Sequence, residues 1–289
     1  MSSPSRLVVV AGASGHLGRS IARSLAARGW AVRGVGRRPR AADSLATEWI
    51  QADLGAPGAD LDQICRGAEA LVSTVGASLD LKGPGRPSYR DVDGPVNARL
   101  FRAARDAGIE RVAYVSLHAA DRLLGTEYAR AHEEAVRALR ETVARPLVVR
   151  PTGVFWVFTE ILEMARKGMV PVIGDGSART NPVHEDDVAE AVAAAPERDA
   201  DEVCVGGPEV LTRRQVAELA LAARGKSSRV VRVPAAVFRG VAAAARPFSP
   251  RVSALLAFGT EVSLVDVVAP ATGVRRLSDY FRERLAAAS

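Results

Sequence analysis

A glycine triplet, and what brackets it, constrains this chain most. Leu7-Val8-Val9-Val10-Ala11 is a run of apolar, mostly β-branched residues between Arg6 and Gly12, the pattern of a buried strand. Gly12-Ala13-Ser14-Gly15-His16-Leu17-Gly18 follows at once, and Arg19–Arg28 then reads as a helix with Ile21, Ala22, Leu25 and Ala26 on one face and Gly29 as its C-cap. In such a strand–loop–helix the first glycine makes a tight turn and the second lets backbone approach a pyrophosphate. The third lets the helix pack on the strand, while the helix start offers free N–H groups and the positive end of its dipole. Glycine alone is weak evidence in a chain that contains 25 of them; its place between a strand and a helix at the head of an alternating series makes it specific. The bland alternative is a structural turn. The candidate cofactor contacts are Gly12, Ser14, Gly15, His16, Leu17 and Gly18, with His16 acting through its backbone N–H.

The alternation continues. Strands are expected at Ala31–Gly36, Trp49–Ala52, Ala70–Val75, Arg111–Ser116 and Pro146–Arg150, with helices at Ala98–Ala107 and Glu127–Thr142. Strands that alternate with helices imply βαβ units and a parallel sheet, and continuous apolar strands fit a sheet covered on both faces. The expected fold is therefore α/β, a doubly wound parallel-sheet Rossmann domain over residues 1–205. A small, mostly helical cap of two or three helices is expected over residues 206–289, with residues 152–182 contributing to a substrate pocket.

The end of the second strand chooses between nicotinamide cofactors. A carboxylate there would meet the ribose hydroxyls of NAD, but the strand runs into Arg37-Arg38 with no acid before Asp43. Guanidinium forks at this position suit a 2′-phosphate, so NADP(H) is expected, with NAD(H) possible; a solvated basic turn is the alternative. Asp53-Leu54 follows the third strand, where the acid either accepts from an adenine amino group or caps a turn before Gly55. Thr74-Val75-Gly76 lies where the chain crosses beneath the cofactor, in the crevice at the strands' carboxyl ends.

Lysine occurs only at Lys82, Lys167 and Lys226 among 39 basic residues, so the other 36 are arginine, and the isoelectric point is about 9.9. The arginines are dispersed, mostly beside acids, with no block of five or more like charges, which argues for compositional bias and against a nucleic-acid partner. Two cysteines, Cys65 and Cys204, lie in different segments and give no disulfide framework or thiolate site. That usage fits a reducing, cytoplasmic setting. The chain opens without a signal-peptide pattern, and the apolar stretch 235–260 is broken by arginine and proline, so no membrane span is expected. Four histidines with no paired spacing give no metal site.

Several segments in order, namely Gly12–Gly18, Asp53-Leu54, the strand ending in Ser116, the helix carrying Tyr128, Arg150-Pro151 and Val183-His184-Glu185-Asp186-Asp187-Val188-Ala189, resemble the short-chain dehydrogenase/reductase superfamily. They are similar to its extended and atypical branches, the NAD(P)-binding proteins related to nitrogen-metabolite-repression regulators and to the accessory subunit of respiratory complex I. Val267-Val268-Ala269-Pro270 and Leu277-Ser278-Asp279-Tyr280-Phe281 resemble the tail of bacterial atypical members. The resemblance implies that Ser116 orients a substrate carbonyl and that Tyr128 exchanges the proton. It also asks for a lysine four residues after the tyrosine, to bind the nicotinamide ribose and lower the tyrosine pKa. Here the segment reads Tyr128-Ala129-Arg130-Ala131-His132. His132 shares a helix face with Tyr128, but an imidazole is only partly charged near neutral pH.

Two functions follow from the resemblance. One is an NADP(H)-dependent oxidoreductase acting on a small apolar carbonyl or quinone-like compound, with Ser116, Tyr128 and His132 at the chemistry. The other is a non-catalytic NAD(P)(H)-binding redox sensor or assembly protein. A monomer or a homodimer is compatible with either. His118 reads as a crevice or loop histidine, and His184 as part of a helix start. Asp80–Pro95, with Gly83-Pro84-Gly85-Arg86-Pro87, reads as a flexible lid or a substrate loop, with Asn97 opening the next helix. Phe155-Trp156-Val157-Phe158 is either a pocket wall or core.

Overall fold

The computed structural model describes residues 6–77, 88–194, 200–224 and 229–287. In chain order come β1 (Leu7–Ala11), α1 (His16–Ala27), β2 (Ala31–Gly36), β3 (Glu48–Gln51), α2 (Leu61–Cys65) and β4 (Ala70–Ser73). Then follow α3 (Tyr89–Asp106), β5 (Arg111–Val115), α4 (Glu127–Thr142), β6 (Arg145–Pro151), α5 (Thr159–Arg166), β7 (Met169–Ile173), β8 (Arg179–Thr180), α6 (Glu185–Ala194) and β9 (Glu202–Val205). The last elements are β10 (Leu211–Thr212), α7 (Arg213–Ala223), β11 (Arg229–Val233), α8 (Ala235–Ala245), α9 (Pro250–Val262) and α10 (Leu277–Ala286).

Seven strands form one sheet in the order β3-β2-β1-β4-β5-β6-β9, with every pairing parallel. The order reverses beside β1, between β1 and β4, which is the Rossmann arrangement with its ligand crevice at the switch point. Side-chain alternation along β1 explains the layering. Val8 and Val10 face a core with Ile21 and Leu25 of α1 and Val188 and Val192 of α6. Val9 and Ala11 face a second core with Leu100 and Phe101 of α3 and Leu139 of α4. Each such fully buried side chain contributes about 1.5–3 kcal/mol, which is why the strand is apolar on both faces.

A third core joins Phe155, Phe158 and Leu162 to Val170 and Val172 of β7, Val216 and Leu221 of α7, and Leu277 and Phe281 of α10. Two small sheets, β10–β8 and β11–β7, accompany it. Residues 206–289 hold four helices among the described residues where two or three are expected from the sequence, because Pro234, Pro250 and the 263–276 segment cut the helical stretch more finely.

The largest departure from expectation is at α3. Asp80–Pro95 reads as a loop from the glycines and prolines of Gly83-Pro84-Gly85-Arg86-Pro87. Residues 80–87 of that segment lie outside the described residues, but the helix begins at Tyr89. Ser88 caps it by a reciprocal capping box with Asp91, and Pro95 sits inside it. The burial of Tyr89, Asp93, Val96, Asn97, Leu100 and Phe101 along one stripe holds the helix through the proline. Asn97 therefore does not open a helix; it lies two turns in and is buried.

Candidate functional site

The phosphate loop is built by close approach. Gly12 has φ +86, and a Cβ there would stand 2.5 Å from Thr74 Oγ1. A Cβ on Gly18 would stand 2.2 Å from the Gly12 carbonyl oxygen, so a side chain at Gly18 would drive α1 off the strand. Thr74 is fixed beside the loop, its N–H and hydroxyl both donating to the Ala11 carbonyl at 3.0 and 3.1 Å. Gly15 is the N-cap of α1, with no side-chain cap and no acid in the first turn. The first amides of α1 thus meet no carboxylate, as a bound pyrophosphate requires.

Cations collect around this loop. Arg38 donates from its guanidinium to the Ser14 carbonyl, tying the end of β2 to the loop. Ser14 itself packs where a Cβ on Gly36 would lie, 2.6 Å from its Oγ. Burial and then the charges of Arg19, Arg284 and Arg38 lower the His16 pKa, so its ring is neutral near pH 7. Arg284 comes from α10, so its charge reaches the loop from an element the linear sequence does not signal. His16 stacks on Trp156, with ring centroids 5.5 Å apart. Trp156 is the member of the 155–158 aromatic run that faces the loop, while Phe155 and Phe158 are buried in the third core. Arg37 is exposed and its carbonyl accepts from Gln51. Asp53 is exposed and its Oδ1 accepts from Gly55 N–H at 3.0 Å, so it caps a turn; Leu54 beside it is buried. Val75 and Gly76 line the crevice wall over α3, where a Cβ on Gly76 would stand 2.8 Å from Asp93 Oδ1.

Beneath that wall Asn97 accepts from Ser73 Oγ at 2.5 Å and donates to the carbonyls of Val75 and Asp93 at 2.9 and 2.7 Å. It thereby fixes the backbone that carries Thr74, Val75 and Gly76.

The Tyr128 and His132 corner follows from the periodicity of α4. Thr126 caps the helix, and Ala129, His132, Ala135, Val136 and Leu139 form its buried stripe. Position 132 therefore faces the core, and the structure turns His132 inward. Its Nδ1 shares a 2.7 Å hydrogen bond with the Tyr114 hydroxyl. Its Nε2 lies 3.2 Å from Asp93 Oδ1, close enough to exchange a proton but off the line of a directed bond. Asp93 is fully buried, with Oδ2 accepting from Ala77 N–H at 3.1 Å. Burial, despite that bond, pushes the Asp93 carboxyl up to about 7. Burial, helped by the Arg150 charge, pushes His132 down to about 3. Near pH 6 the proton of this pair rests on Asp93 and the imidazole is neutral.

Tyr128 is half-buried, its ring 4.6 Å from His132, 5.0 Å from Tyr89 and 4.5 Å from Phe258 of α9. Burial, then the charges of Asp93 and Tyr89, raise its phenol well above 10. Tyr128 and His132 are thus brought together, but no cation at position 132 favours a phenolate. Arg150 lies below the corner, bonded to Glu133 at 2.5 Å and to Glu202 at 2.9 Å. Burial opposes its charge, but these two carboxylates outweigh that and hold its pKa above the ordinary value. Ser116 is buried, and its Oγ has no hydrogen-bond partner among the described residues.

His118 donates from Nε2 to the Val268 carbonyl at 3.0 Å, and its Nδ1 is buried with no partner among the described residues; His184 Nδ1 accepts from Asp186 N–H at 3.0 Å at the start of α6. Among the described residues no group of three His, Cys, Asp or Glu could hold a metal ion, and no helix is long and apolar enough to cross a membrane. The sequence alone does not single out Asp93 and misplaces Asn97, although both fall in register with Tyr89, Leu100 and Phe101 once the helix is recognised.

Residues 12–199 match the profile of the family described as NAD(P)H-binding. A ceramide reductase of Caulobacter vibrioides is 32% identical over 198 residues, covering 65% of this chain and 60% of that protein. The mitochondrial NADH dehydrogenase [ubiquinone] 1 alpha subcomplex subunit 9 of Arabidopsis thaliana is 26% identical over 254 residues, covering 82% of this chain and 62% of that protein. These alignments thus span about three fifths of each curated relative. Among solved structures, the NADPH complex of the Escherichia coli quinone oxidoreductase QOR2 superposes with a TM-score of 0.73 at 20% identity, over 96% of this chain and 99% of that one. That likeness is one of fold.

Proposed function

This chain belongs to the NAD(P)H-binding family, and from that premise we propose that it is an NADP(H)-dependent reductase of a small apolar carbonyl or quinone-like compound. The observation that carries the reading is the phosphate loop, closed to side chains at Gly12 and Gly18, free of carboxylates at the helix start, and bordered by Arg38. Gly12, Ser14, Gly15, Leu17 and Gly18 would hold the pyrophosphate through backbone, with Arg37 and Arg38 toward a 2′-phosphate and Thr74, Val75 and Gly76 under the nicotinamide side. The cofactor supplies a hydride when bound. The Ser116 hydroxyl orients the substrate oxygen, and Tyr128 donates the proton that completes reduction. Tyr128 is held protonated and so available to donate, but with no positive charge at His132 the phenolate that donation leaves is not stabilised and is reprotonated from solvent before the next turnover. The names of two relatives, a ceramide reductase and a quinone oxidoreductase, support an apolar oxygen-bearing substrate. Residues 1–205 serve as the cofactor domain in this reading, with residues 206–289 and 152–182 shaping the substrate side.

The neutral corner also favours a second reading, an NADP(H)-binding protein that senses or assembles without turnover. One experiment separates them. NADPH oxidation is followed with a panel of apolar ketones and quinones, for the unmodified protein and for Tyr128→Phe. The reductase reading expects turnover that falls about 100-fold or more in the variant while NADPH affinity stays within a few-fold. Tight NADPH binding without turnover across the panel supports the second reading. Turnover that survives the substitution removes Tyr128 as the donor.

A further inference from the structure

Between Glu218 and Glu261 the chain carries six arginines and Lys226 and not one carboxylate. This is an electropositive segment, the second in the chain after the arginines that precede Asp43 at the phosphate loop. It contains the helical hairpin α8–α9. Helix α8 is 11 residues long and buries only Ala242, packing on α9. Its opposite face is Ala236, Val237, Gly240, Val241 and Ala244, all exposed. Val237 and Val241 are each 52% exposed, and Phe248, on the turn into α9, is 90% exposed.

A helix on the outside of a protein ordinarily turns charged residues to water. Here the outward stripe is apolar, and a contiguous exposed apolar surface marks a site of contact. The face is also shallow, because nothing lies within 4 Å of a Cβ built on Gly240, so it offers no cleft for a partner's side chain. Its borders are cationic. Arg246 stands exposed between the helix end and Phe248, and Arg229 and Arg232 are exposed on β11, which leads into the helix through Pro234. Arg239 is clasped at the flank by Glu261 at 2.9 and 3.2 Å. A second copy docking by this face would set cation against cation, since a two-fold interface pairs a patch with itself. A sheet of anionic headgroups above an apolar layer complements both features at once.

We propose that α8 and the turn carrying Phe248 seat the protein peripherally on an anionic lipid bilayer. Val237, Val241 and Phe248 enter the acyl boundary, and Arg246, Arg229 and Arg232 meet headgroup phosphates. At 11 residues the helix is too short to span and lies in the interface plane.

The test floats the full chain with vesicles of phosphatidylcholine alone or with about one third phosphatidylglycerol, at low and high salt. The expected result is flotation with the anionic vesicles, weakened by salt and reduced several-fold or more by Phe248→Ser and by Val241→Asp. NADPH affinity and the melting temperature of Phe248→Ser should stay unchanged, since that side chain is exposed. Absence of flotation with anionic vesicles overturns the proposal, as does flotation that neither variant weakens. Sedimentation of the unmodified chain as a dimer that Phe248→Ser dissolves also overturns it, assigning the face to a second copy. None of these outcomes depends on turnover, so the proposal fails or stands separately from the reductase reading.

Discussion

The phosphate loop and the Tyr128–His132 corner lie at the same end of one sheet, and they are made in opposite ways. The loop is made of backbone. Its shape is imposed where no Cβ fits, at Gly12 and Gly18, and its charge is set by Arg19, Arg38 and Arg284 around a neutral His16. The corner is made of side chains placed by the buried stripe of α4, and the stripe delivers a histidine to the interior in place of a cation to the crevice. One region is electropositive and ready for a phosphate; the other keeps its proton on a buried carboxyl and its imidazole neutral. A site built from backbone carries its function in residue identity. A site built from side chains also depends on which way the helix turns them.

The harshest way to break this contrast is Gly18→Val. Isothermal titration should show NADPH affinity down by about 100-fold or more, roughly 2.7 kcal/mol, whereas Tyr128→Phe leaves it nearly untouched. Comparable losses in both variants would mean that the two regions are not separate.

The pH dependence of stability sharpens the corner. The raised Asp93 pKa contributes stability at low pH that is lost as pH rises toward about 7. The lowered His132 pKa contributes stability above the unfolded histidine value that is lost as pH falls toward about 3. Between the ordinary carboxyl and imidazole values the two slopes oppose, because folding moves one proton from His132 to Asp93. Denaturant unfolding of the unmodified protein should therefore show little slope from this pair. Asp93→Asn should become less stable by about 2 kcal/mol from pH 6 to 4.5, and His132→Gln more stable by about as much over the same range. Parallel slopes in the two variants would contradict the assignment.

The smallest effect belongs to the cofactor's far end. Replacing Arg37 and Arg38 by alanine should weaken NADPH about tenfold, or 1.4 kcal/mol, and leave NADH binding nearly constant. Equal weakening of both would place the guanidinium groups away from a 2′-phosphate.

Much of the fold is legible in the amino-acid order alone. The strand–glycine–helix signature places the loop because apolar continuity and glycine spacing are local. Periodicity and the Thr126 cap place the Glu127–Thr142 helix to the residue. The Tyr89–Pro95 turns of α3 escape, because the glycine and proline run Gly83-Pro84-Gly85-Arg86-Pro87 speaks louder in sequence than a capping box and a buried stripe that only folding completes. With that segment read as a loop, Asp93 has no place beside His132 and Asn97 looks like a cap. The inward turn of His132 is readable, since Ala129, His132, Val136 and Leu139 share helical spacing. The approach of Arg284 and Phe258 is not, because both arrive from elements more than a hundred residues later.

The central claim is that the residue in the lysine position carries no charge when the protein works. Histidine-selective NMR through about pH 5 to 8, with His132 identified by its loss in His132→Gln, reads this directly. The account predicts an imidazole that stays neutral across the whole range. A His132 ring that protonates near pH 6.5, or that is cationic throughout against an ionised Asp93, would contradict it.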